Sequence, residues 1–362
     1  MTRALNLPKG NGMKQPYVLV TGANGFVGAA LVRKLLERGD HVKAFVRPET
    51  DLTSLQGLPK DRMTIAVGDI MAESSVYRAL AGCTRLYHTA ANFKLWDKRP
   101  ERIIEPAVVG TRQVLSAARA RQIEKIVVTS SCGVLGTTQQ EPMDEEHELN
   151  LTDPEVYIRA KVEADDVVSD AVEAGQPIVR VLPGTIAGPG DRKPTPNGQT
   201  LLRYLKHSPS LRFPVVEGGL NIVDVEDVAT GHILAMEQGR LGQSYILGGD
   251  NLTYSQIFET LADITGLSEP SEPKSAGMAR LVGALWEFSA RVRGGEPIIT
   301  SRIARDYVGS NVWVTSQKAE TELGYQHRSA REALARSVRW FLDHGYVSQH
   351  AASRVRLELR PV

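Results

Sequence analysis

The sequence has few of the residues that would indicate disulfides or a metal site. Only two of its 362 residues are cysteines, Cys83 and Cys132, and neither lies in a Cys-x-x-Cys or other metal-ligand spacing. The eight histidines are scattered along the chain. We therefore expect reduced thiols, no bound metal and a cytoplasmic location.

An excess of one charge and long apolar runs are also absent. The 43 basic and 42 acidic residues leave a formal net charge of +1, which gives no reason to expect a nucleic-acid partner or binding to an anionic membrane. No apolar run reaches membrane-spanning length, so we expect no membrane span. Residues 1–15 are polar and lack the apolar core of a secretion signal, and we interpret them as a mobile N-terminal extension or as residues before an alternative start at Met13.

The sequence does contain a regular alternation of strand and helix patterns. Short β-rich runs occupy residues 17–20, 42–46, 63–67, 85–88, 126–129 and 178–181. Helical patterns between them occupy residues 27–37, 74–81, 104–121 and 155–174. This alternation predicts an α/β fold, a Rossmann-type doubly wound parallel sheet with a smaller substrate-binding lobe. We expect the dinucleotide-binding domain at 16–183, a mixed lobe with segments returning to that domain at 184–347, and a solvated C-terminal tail at 348–362.

The second half of the chain has a looser pattern. Residues 184–198 hold four glycines and three prolines, which predicts a long loop near an active site. Ser244–Leu247 is predicted as a strand, and capping boxes at Thr253 and Ser329 predict helices, the second ending near His344. An apolar stripe at 280–292 fits either a membrane-surface helix or a helix packed on the lobe, and we favour the latter.

The most informative motif is a glycine-rich turn after the first predicted strand, Thr21-Gly-Ala-Asn-Gly-Phe-Val-Gly28. At a strand–helix junction, Gly22 permits the tight turn, Gly25 lets the backbone approach a pyrophosphate, and Gly28 lets the helix pack on the sheet. The backbone amides at the start of the helix then face the phosphates. The residues predicted here to bind a dinucleotide are Thr21, Gly22, Asn24, Gly25, Phe26, Val27 and Gly28.

The end of the second strand indicates which dinucleotide is bound. An acidic residue there bonds the adenosine ribose, whereas a basic one neutralises a 2′-phosphate. This chain has Arg47, and Asp51 lies four residues further on, so NADP(H) is favoured over NAD(H). After the third strand, Asp69 and Ile70 fit a turn that reaches the adenine amino group, although Asp69 fits a helix cap equally well.

A tyrosine and a lysine one helical turn apart, Tyr157 and Lys161, predict proton-transfer chemistry. The phenol has a pKa of about 10, and a nearby ammonium is expected to lower it. Thr129, Ser130 and Ser131 end the fifth strand, where an α/β sheet places its ligands, and one hydroxyl there can polarise a substrate carbonyl. We favour Ser131, with Ser130 as the alternative; no serine-hydrolase elbow accompanies them.

In the order of its motifs, the chain resembles an extended short-chain dehydrogenase/reductase over nearly all of residues 16–347. Within that family it is similar to the dihydroflavonol-reductase-like branch and the hopanoid-associated sugar epimerases. The likeness is carried by the glycine-rich turn, Asp69, His88-Thr-Ala-Ala91, Gly110-Thr111, Thr129-Ser-Ser131, Tyr157-x-x-x-Lys161, Arg180-Val-Leu-Pro-Gly184, Asn92-Phe-Lys-Leu-Trp96, Lys193-Pro-Thr-Pro-Asn-Gly198 and Tyr245-Ile-Leu-Gly-Gly-Asp-Asn251.

The resemblance implies a catalytic set of Ser131, Tyr157 and Lys161, with Lys161 also holding the nicotinamide ribose. Further cofactor contacts that it implies are Thr89, Ala90, Ala91, Thr129, Pro183, Gly184 and Thr185. Two positions depart from the family. Ala107 stands where an asparagine is common, and Leu135 stands where many sugar epimerases have tyrosine, which weakens the sugar interpretation.

The leading hypothesis is therefore an NADPH-dependent reductase of a ketone or aldehyde, with a small-molecule carbonyl or alcohol substrate. The alternative is a nucleotide-sugar epimerase or dehydratase with a retained cofactor, whose diphosphate Arg192, Lys193 and Arg203 would bind. A non-enzymatic nucleotide-sensing role is the third hypothesis, and a homodimer is left open. Residues expected near the substrate are Phe93, Trp96, Cys132 and Gly133.

Overall fold

The computed structural model describes residues 17–207, 211–274, 277 and 300–356. The expected N-terminal extension at 1–15 and the apolar stripe at 280–292 lie outside these residues. No helix in the described ranges is both long and apolar enough to cross a membrane.

Seven parallel strands form the main sheet. They are β1 Tyr17–Thr21, β2 His41–Val46, β3 Met63–Val67, β4 Cys83–His88, β5 Lys125–Thr129, β6 Ile178–Pro183 and β9 Ser244–Leu247. Their order across the sheet is β3-β2-β1-β4-β5-β6-β9. The order reverses between β1 and β4, and in doubly wound sheets the ligand lies in the crevice at that reversal. The predicted fold class is confirmed, and the predicted strands are confirmed to within two residues at each end.

Helices cover both faces of this sheet because each face presents apolar side chains. On one face α1 (Phe26–Arg38) and α6 (Val225–Gln238) share a core with the strands. On the other lie α2 (Glu73–Ala79), α3 (Glu101–Ala120) and α4 (Val156–Glu173). Sequence analysis missed α6, because its buried residues extend beyond a single stripe and leave little amphipathic periodicity.

A second, smaller sheet forms the lobe. Strand β8 (Gly219–Asp224) pairs with β7 (Thr185–Ala187), β10 (Asp250–Thr253) and β11 (Asn311–Val312). Helices α5 (Pro196–Lys206), α7 (Tyr254–Thr265) and α10 (Ala330–Asp343) enclose its apolar core.

The predicted loop at 184–198 is wrong at both ends. The first residues form β7, whose partner β8 lies more than thirty residues further along, so no local signal announces it. The last residues begin α5, where Thr195 caps the amide of Gly198 and Pro196 occupies the first turn.

The predicted helix caps are confirmed. Thr253 and Gln256 form a reciprocal capping box at the start of α7, and Ser329 accepts a hydrogen bond from the amide of Glu332 at the start of α10. The remaining helices are α8 (Ser301–Tyr307), α9 (Gln317–Leu323) and α11 (Gln349–Ala352). The tail expected to be solvated is partly packed, because Ala351 of α11 is buried in the core of the lobe.

Candidate functional site

The glycine-rich turn between β1 and α1 has no room for side chains at two of its glycines. Gly22 has a φ of +65°, and a Cβ there would lie 2.7 Å from the Cα of Ala90. A Cβ on Gly28 would lie 2.2 Å from the carbonyl oxygen of Gly22. Both distances are far below van der Waals contact, so this backbone geometry requires glycine at both positions.

The first turn of α1 is free to bind an anion. Its N-cap, Gly25, has no capping side chain, and no acidic residue lies in the first turn. The first amides of a helix have no partner within it and carry partial positive charge. Together with the cradle formed by the glycines, this end of α1 fits a pyrophosphate, which residues 22–27 would hold.

Arg47 follows β2 directly and is exposed to solvent. Within the described ranges its guanidinium forms no hydrogen bond or ion pair. Nearby, the Asn24 side chain donates to the Thr50 hydroxyl at 2.8 Å and to the carbonyl oxygen of Asp51 at 3.1 Å. The loop after β2 is thereby tied to the glycine-rich turn, which leaves Arg47 available for a ligand at that edge.

Arg192 and Lys193, the proposed diphosphate ligands of a sugar nucleotide, lie near the same loop. The Arg192 guanidinium is 4.0 Å from the Asp51 carboxylate. Hydrogen bonds from Thr53 lower the pKa of Asp51, and the charges of Arg192 and Lys193 lower it further. Both basic residues therefore lie on the adenosine side of the predicted cofactor site.

Asp69 forms a turn and does not cap a helix. Its carboxylate accepts a hydrogen bond from the amide of Met71 at 2.9 Å, whereas the N-cap of α2 is Ala72. Of the two roles considered for Asp69, the helix cap is therefore wrong. Ile70 packs against Gly110 of α3, where a Cβ would lie 2.7 Å from the Ile70 side chain.

A buried hydrogen-bond chain fixes the end of β4 against β1. The Thr21 hydroxyl bonds His88 Nδ1 at 2.8 Å, and His88 Nε2 bonds the Thr111 hydroxyl at 3.1 Å. Burial, helped by the charge of Lys161, lowers the pKa of His88 to about 3, so the ring is neutral. The Thr89 hydroxyl donates to the carbonyl oxygen of Thr21 at 2.7 Å.

That chain places the backbone after β4 directly over Gly22. Ala90 makes the close approach described above, and Ala91 beside it is exposed. Sequence analysis used His88 only as a motif residue. Its structural role depends on Thr21 and Thr111, which are distant along the chain.

Tyr157 lies in the first turn of α4 and is half-buried, with Lys161 buried one turn further on. The Lys161 ammonium donates to the carbonyl oxygen of Thr129 at 2.8 Å. Burial raises the pKa of Tyr157, and the nearby Ser131 hydroxyl lowers it by less. The predicted lowering of this pKa below its ordinary value is therefore wrong for this structure, because burial outweighs every favourable contact.

Of the three hydroxyls at the end of β5, that of Ser131 lies close enough to Tyr157 to lower the pKa of the phenol. Ser131 also accepts a hydrogen bond from the amide of Gly133 at 3.2 Å. The buried Ser130 hydroxyl donates to the Asp165 carboxylate. The Thr129 hydroxyl bonds His232 Nε2 at 2.8 Å.

Glu155 holds the start of the helix that carries Tyr157, and sequence analysis missed this role. Its carboxyl oxygens accept hydrogen bonds from the amides of Tyr157 at 2.7 Å and Ile158 at 3.1 Å. Only 3% of Glu155 is exposed, and this burial raises its pKa to about 8. A carboxylate at an N-cap is a recognisable signal, but the helix pattern places Glu155 inside the helix.

The four residues expected near the substrate have different surroundings. The ring centroids of Phe93 and Tyr157 are 4.5 Å apart, and the angle between the two ring planes is 47°. Trp96 lines an open cavity with Glu155. Cys132 is buried in an apolar cluster, and Gly133 packs beneath Ile158, whose side chain a Cβ would approach to 2.3 Å. Phe93 therefore lies against Tyr157 and Trp96 lines a cavity beside Glu155, whereas Cys132 and Gly133 are packed.

The three remaining predicted cofactor residues lie where β6 leaves the main sheet. Pro183 is the buried last residue of β6, and Thr185 begins β7. Between them, the amide of Gly184 donates to the carbonyl oxygen of Leu247 at 3.1 Å. This turn lies at the same carboxyl edge of the main sheet as the hydroxyls that follow β5.

Ala107 lines a cavity of about 20 Å³ beside Tyr157 and Lys161. A space of that size holds about one water molecule. Within the described ranges, no group of three or more histidine, cysteine or acidic side chains is placed to bind a metal ion.

Comparisons with known proteins agree with this geometry. Residues 18–248 match the NAD dependent epimerase/dehydratase family. A Synechocystis sp. protein provisionally named a dihydroflavonol 4-reductase is 36% identical over 335 residues, or 91% of this chain and 95% of that protein. Sterol demethylase protein B of Methylococcus capsulatus is 34% identical over 335 residues, or 91% of this chain and 99% of that protein. The crystal structure of gox2253 has a TM-score of 0.80 at 36% identity, covering 92% of this chain and 100% of that one.

Proposed function

Because the chain belongs to the NAD-dependent epimerase/dehydratase family, we propose that it is an NADPH-dependent reductase of a ketone or aldehyde. Membership of the family supports an enzyme of the oxidoreductase or epimerase type with a nicotinamide cofactor. The observation that carries the proposal is that Lys161, one turn after Tyr157, donates to the carbonyl oxygen of Thr129. This contact holds Tyr157 at the carboxyl end of β5, where the Ser131 hydroxyl lowers the pKa of the phenol. The reductase name of one relative supports the same direction of chemistry.

NADP(H) is the proposed cofactor because of Arg47. A guanidinium at the end of β2, with no partner among the residues that the structure describes, is suited to two charged hydrogen bonds with a 2′-phosphate. The glycine-rich turn would hold the pyrophosphate, and Lys161 would bond the nicotinamide ribose, as the resemblance implies.

The bound nicotinamide would supply the hydride. Tyr157 would give its proton to the carbonyl oxygen, and Ser131 would orient and polarise that oxygen. The pKa of Tyr157 lies well above neutrality, so the phenol carries the proton that this direction requires. The buried ammonium of Lys161 would help to stabilise the phenolate left behind.

The alternative is a nucleotide-sugar epimerase or dehydratase, and its only support is that the matched family includes epimerases and dehydratases. Its substrate needs cations in the lobe. Arg192 and Lys193 lie near Asp51 on the adenosine side, which leaves only Arg203 of the three candidates. The apolar ring of Phe93 against Tyr157 also suits a carbonyl substrate with an apolar body better than a sugar diphosphate.

A cofactor-consumption screen tests the proposal. Purified protein is mixed with NADPH or NADH and a panel of ketones, aldehydes and nucleotide sugars, and absorbance of the reduced nicotinamide is followed. We expect stoichiometric NADPH oxidation with at least one ketone or aldehyde. Conversion of a nucleotide sugar without net cofactor consumption would instead establish the alternative.

A further inference from the structure

Tyr307, the last residue of α8, lies beside the segment that carries Ser131. The chain after α8 pairs with the chain after Ser131, since Thr138 and Asn311 exchange two backbone hydrogen bonds of 2.8 Å. The Tyr307 side chain packs against the apolar cluster that contains Cys132 and Leu135. Tyr307 is thereby brought against the cluster of Cys132, the residue that follows the predicted catalytic serine.

The hydroxyl of Tyr307 is buried and has no hydrogen-bond partner among the residues that the structure describes. An unpaired buried hydroxyl is destabilising, so most buried hydroxyls have a partner. Tyr87 also has an unpaired hydroxyl, but its side chain is fully enclosed in the core of the main sheet. Tyr307 differs because its side chain is half-buried and packs on the cluster that contains Cys132, the residue after Ser131.

The phenols of Tyr307 and Tyr157 are influenced by two of the same groups. Burial raises the pKa of each phenol, and Glu155 and Cys132 raise both further. The two phenols therefore lie within electrostatic reach of the same two groups.

We propose that Tyr307 is a substrate-binding residue, whose hydroxyl bonds an oxygen of the substrate other than the reacting carbonyl. This inference rests on the proposed reductase function. Leu135 stands where many sugar epimerases have a tyrosine. Tyr307, which comes from the other lobe, places a phenol in that same region.

The surroundings of Tyr307 define the class of substrate. The cluster beneath its ring is apolar, and the Phe93 ring lies against Tyr157. The two arginines of α8 have acidic partners: Arg302 is 3.0 Å from Asp153, and Arg305 is 2.5 Å from Asp306. The substrate is therefore a neutral ketone or aldehyde with an apolar body and a second oxygen, such as a hydroxyl.

Calorimetric titration of the NADP⁺-loaded protein tests this inference without requiring turnover. The probes are benzylacetone, an apolar aryl ketone, and its three ring-hydroxylated derivatives. The wild type is expected to bind at least one derivative about tenfold more tightly than benzylacetone, as one buried hydrogen bond allows. Tyr307→Phe should remove this preference and leave the affinity for benzylacetone unchanged.

Tyr87→Phe is the matched control, because it removes an unpaired buried hydroxyl elsewhere and should keep the wild-type preference. Equal binding of all four ketones by the wild type, or a preference that survives in Tyr307→Phe, would overturn the role of Tyr307. Discrimination that depends on Tyr307 but is accompanied by no NADPH oxidation would support the binding site and count against the reductase function. Failure of the role of Tyr307 can thus be distinguished from failure of the reductase function.

Discussion

Replacing Arg47 by aspartate should invert the coenzyme preference. The Arg47 guanidinium is exposed and has no protein partner in the described ranges, so its loss breaks no internal contact. Hydrogen bonds to a charged group contribute about 1.5–3 kcal/mol each. Solvent screening favours the lower end at an exposed site, and about 1.4 kcal/mol is a factor of ten in affinity. The variant loses the attraction between the guanidinium and the 2′-phosphate and adds repulsion between the aspartate and that phosphate. Together these changes should weaken NADPH binding by about a hundredfold.

Fluorescence titration with NADPH and NADH measures this effect directly. The dissociation constant for NADPH should rise in Arg47→Asp, whereas that for NADH should change by less than about threefold, because NADH lacks the 2′-phosphate. Arg339→Asp is the matched control, since it changes an exposed arginine of α10 and alters net charge equally. An unchanged NADPH/NADH affinity ratio in Arg47→Asp would refute the role of Arg47.

Two further predictions concern the glycine-rich turn and the N-cap of α4. Gly28→Ala places a Cβ 2.2 Å from the carbonyl oxygen of Gly22, so the turn must shift and NADPH affinity should fall at least about tenfold. Unchanged NADPH affinity in the same titration would contradict the role of the glycine-rich turn in binding the pyrophosphate. The pKa of Glu155 is raised from 4.5 to about 8, so the native state keeps a proton that the unfolded chain loses, and wild-type stability should decline as pH rises between those values. Urea unfolding at several pH values should show that the free energy of unfolding of Glu155→Gln rises relative to that of the wild type from pH 5 to pH 8. If the difference between the two free energies is the same at every pH, Glu155 is not a neutral buried carboxyl.

The main sheet could be predicted from sequence because its strands are short apolar runs separated by amphipathic helices. Each run is buried on both faces, so its signal is local. Strand β7 and helix α6 escaped prediction for opposite reasons. Strand β7 depends on a distant partner, and α6 is buried on too much of its surface to show a period of one helical turn.

The predicted site residues follow the same division. The glycine-rich turn and the pair Tyr157 and Lys161 are local patterns, and the structure places both at the carboxyl edge of the main sheet. Tyr307 has no local signal, since it comes beside Ser131 only through the pairing of Thr138 with Asn311. The pKa of Tyr157 could not be inferred from its distance to Lys161 along the helix, because burial is a property of the whole fold.

The central claim is that the phenol of Tyr157 delivers the proton to a substrate carbonyl. The most direct test is the rate of NADPH oxidation by Tyr157→Phe with the best ketone or aldehyde from the screen, beside an NADPH titration of the same variant. We predict a loss of about a thousandfold or more in turnover with NADPH affinity unchanged. Turnover within about tenfold of the wild type would contradict the account, because the proton would then come from another group.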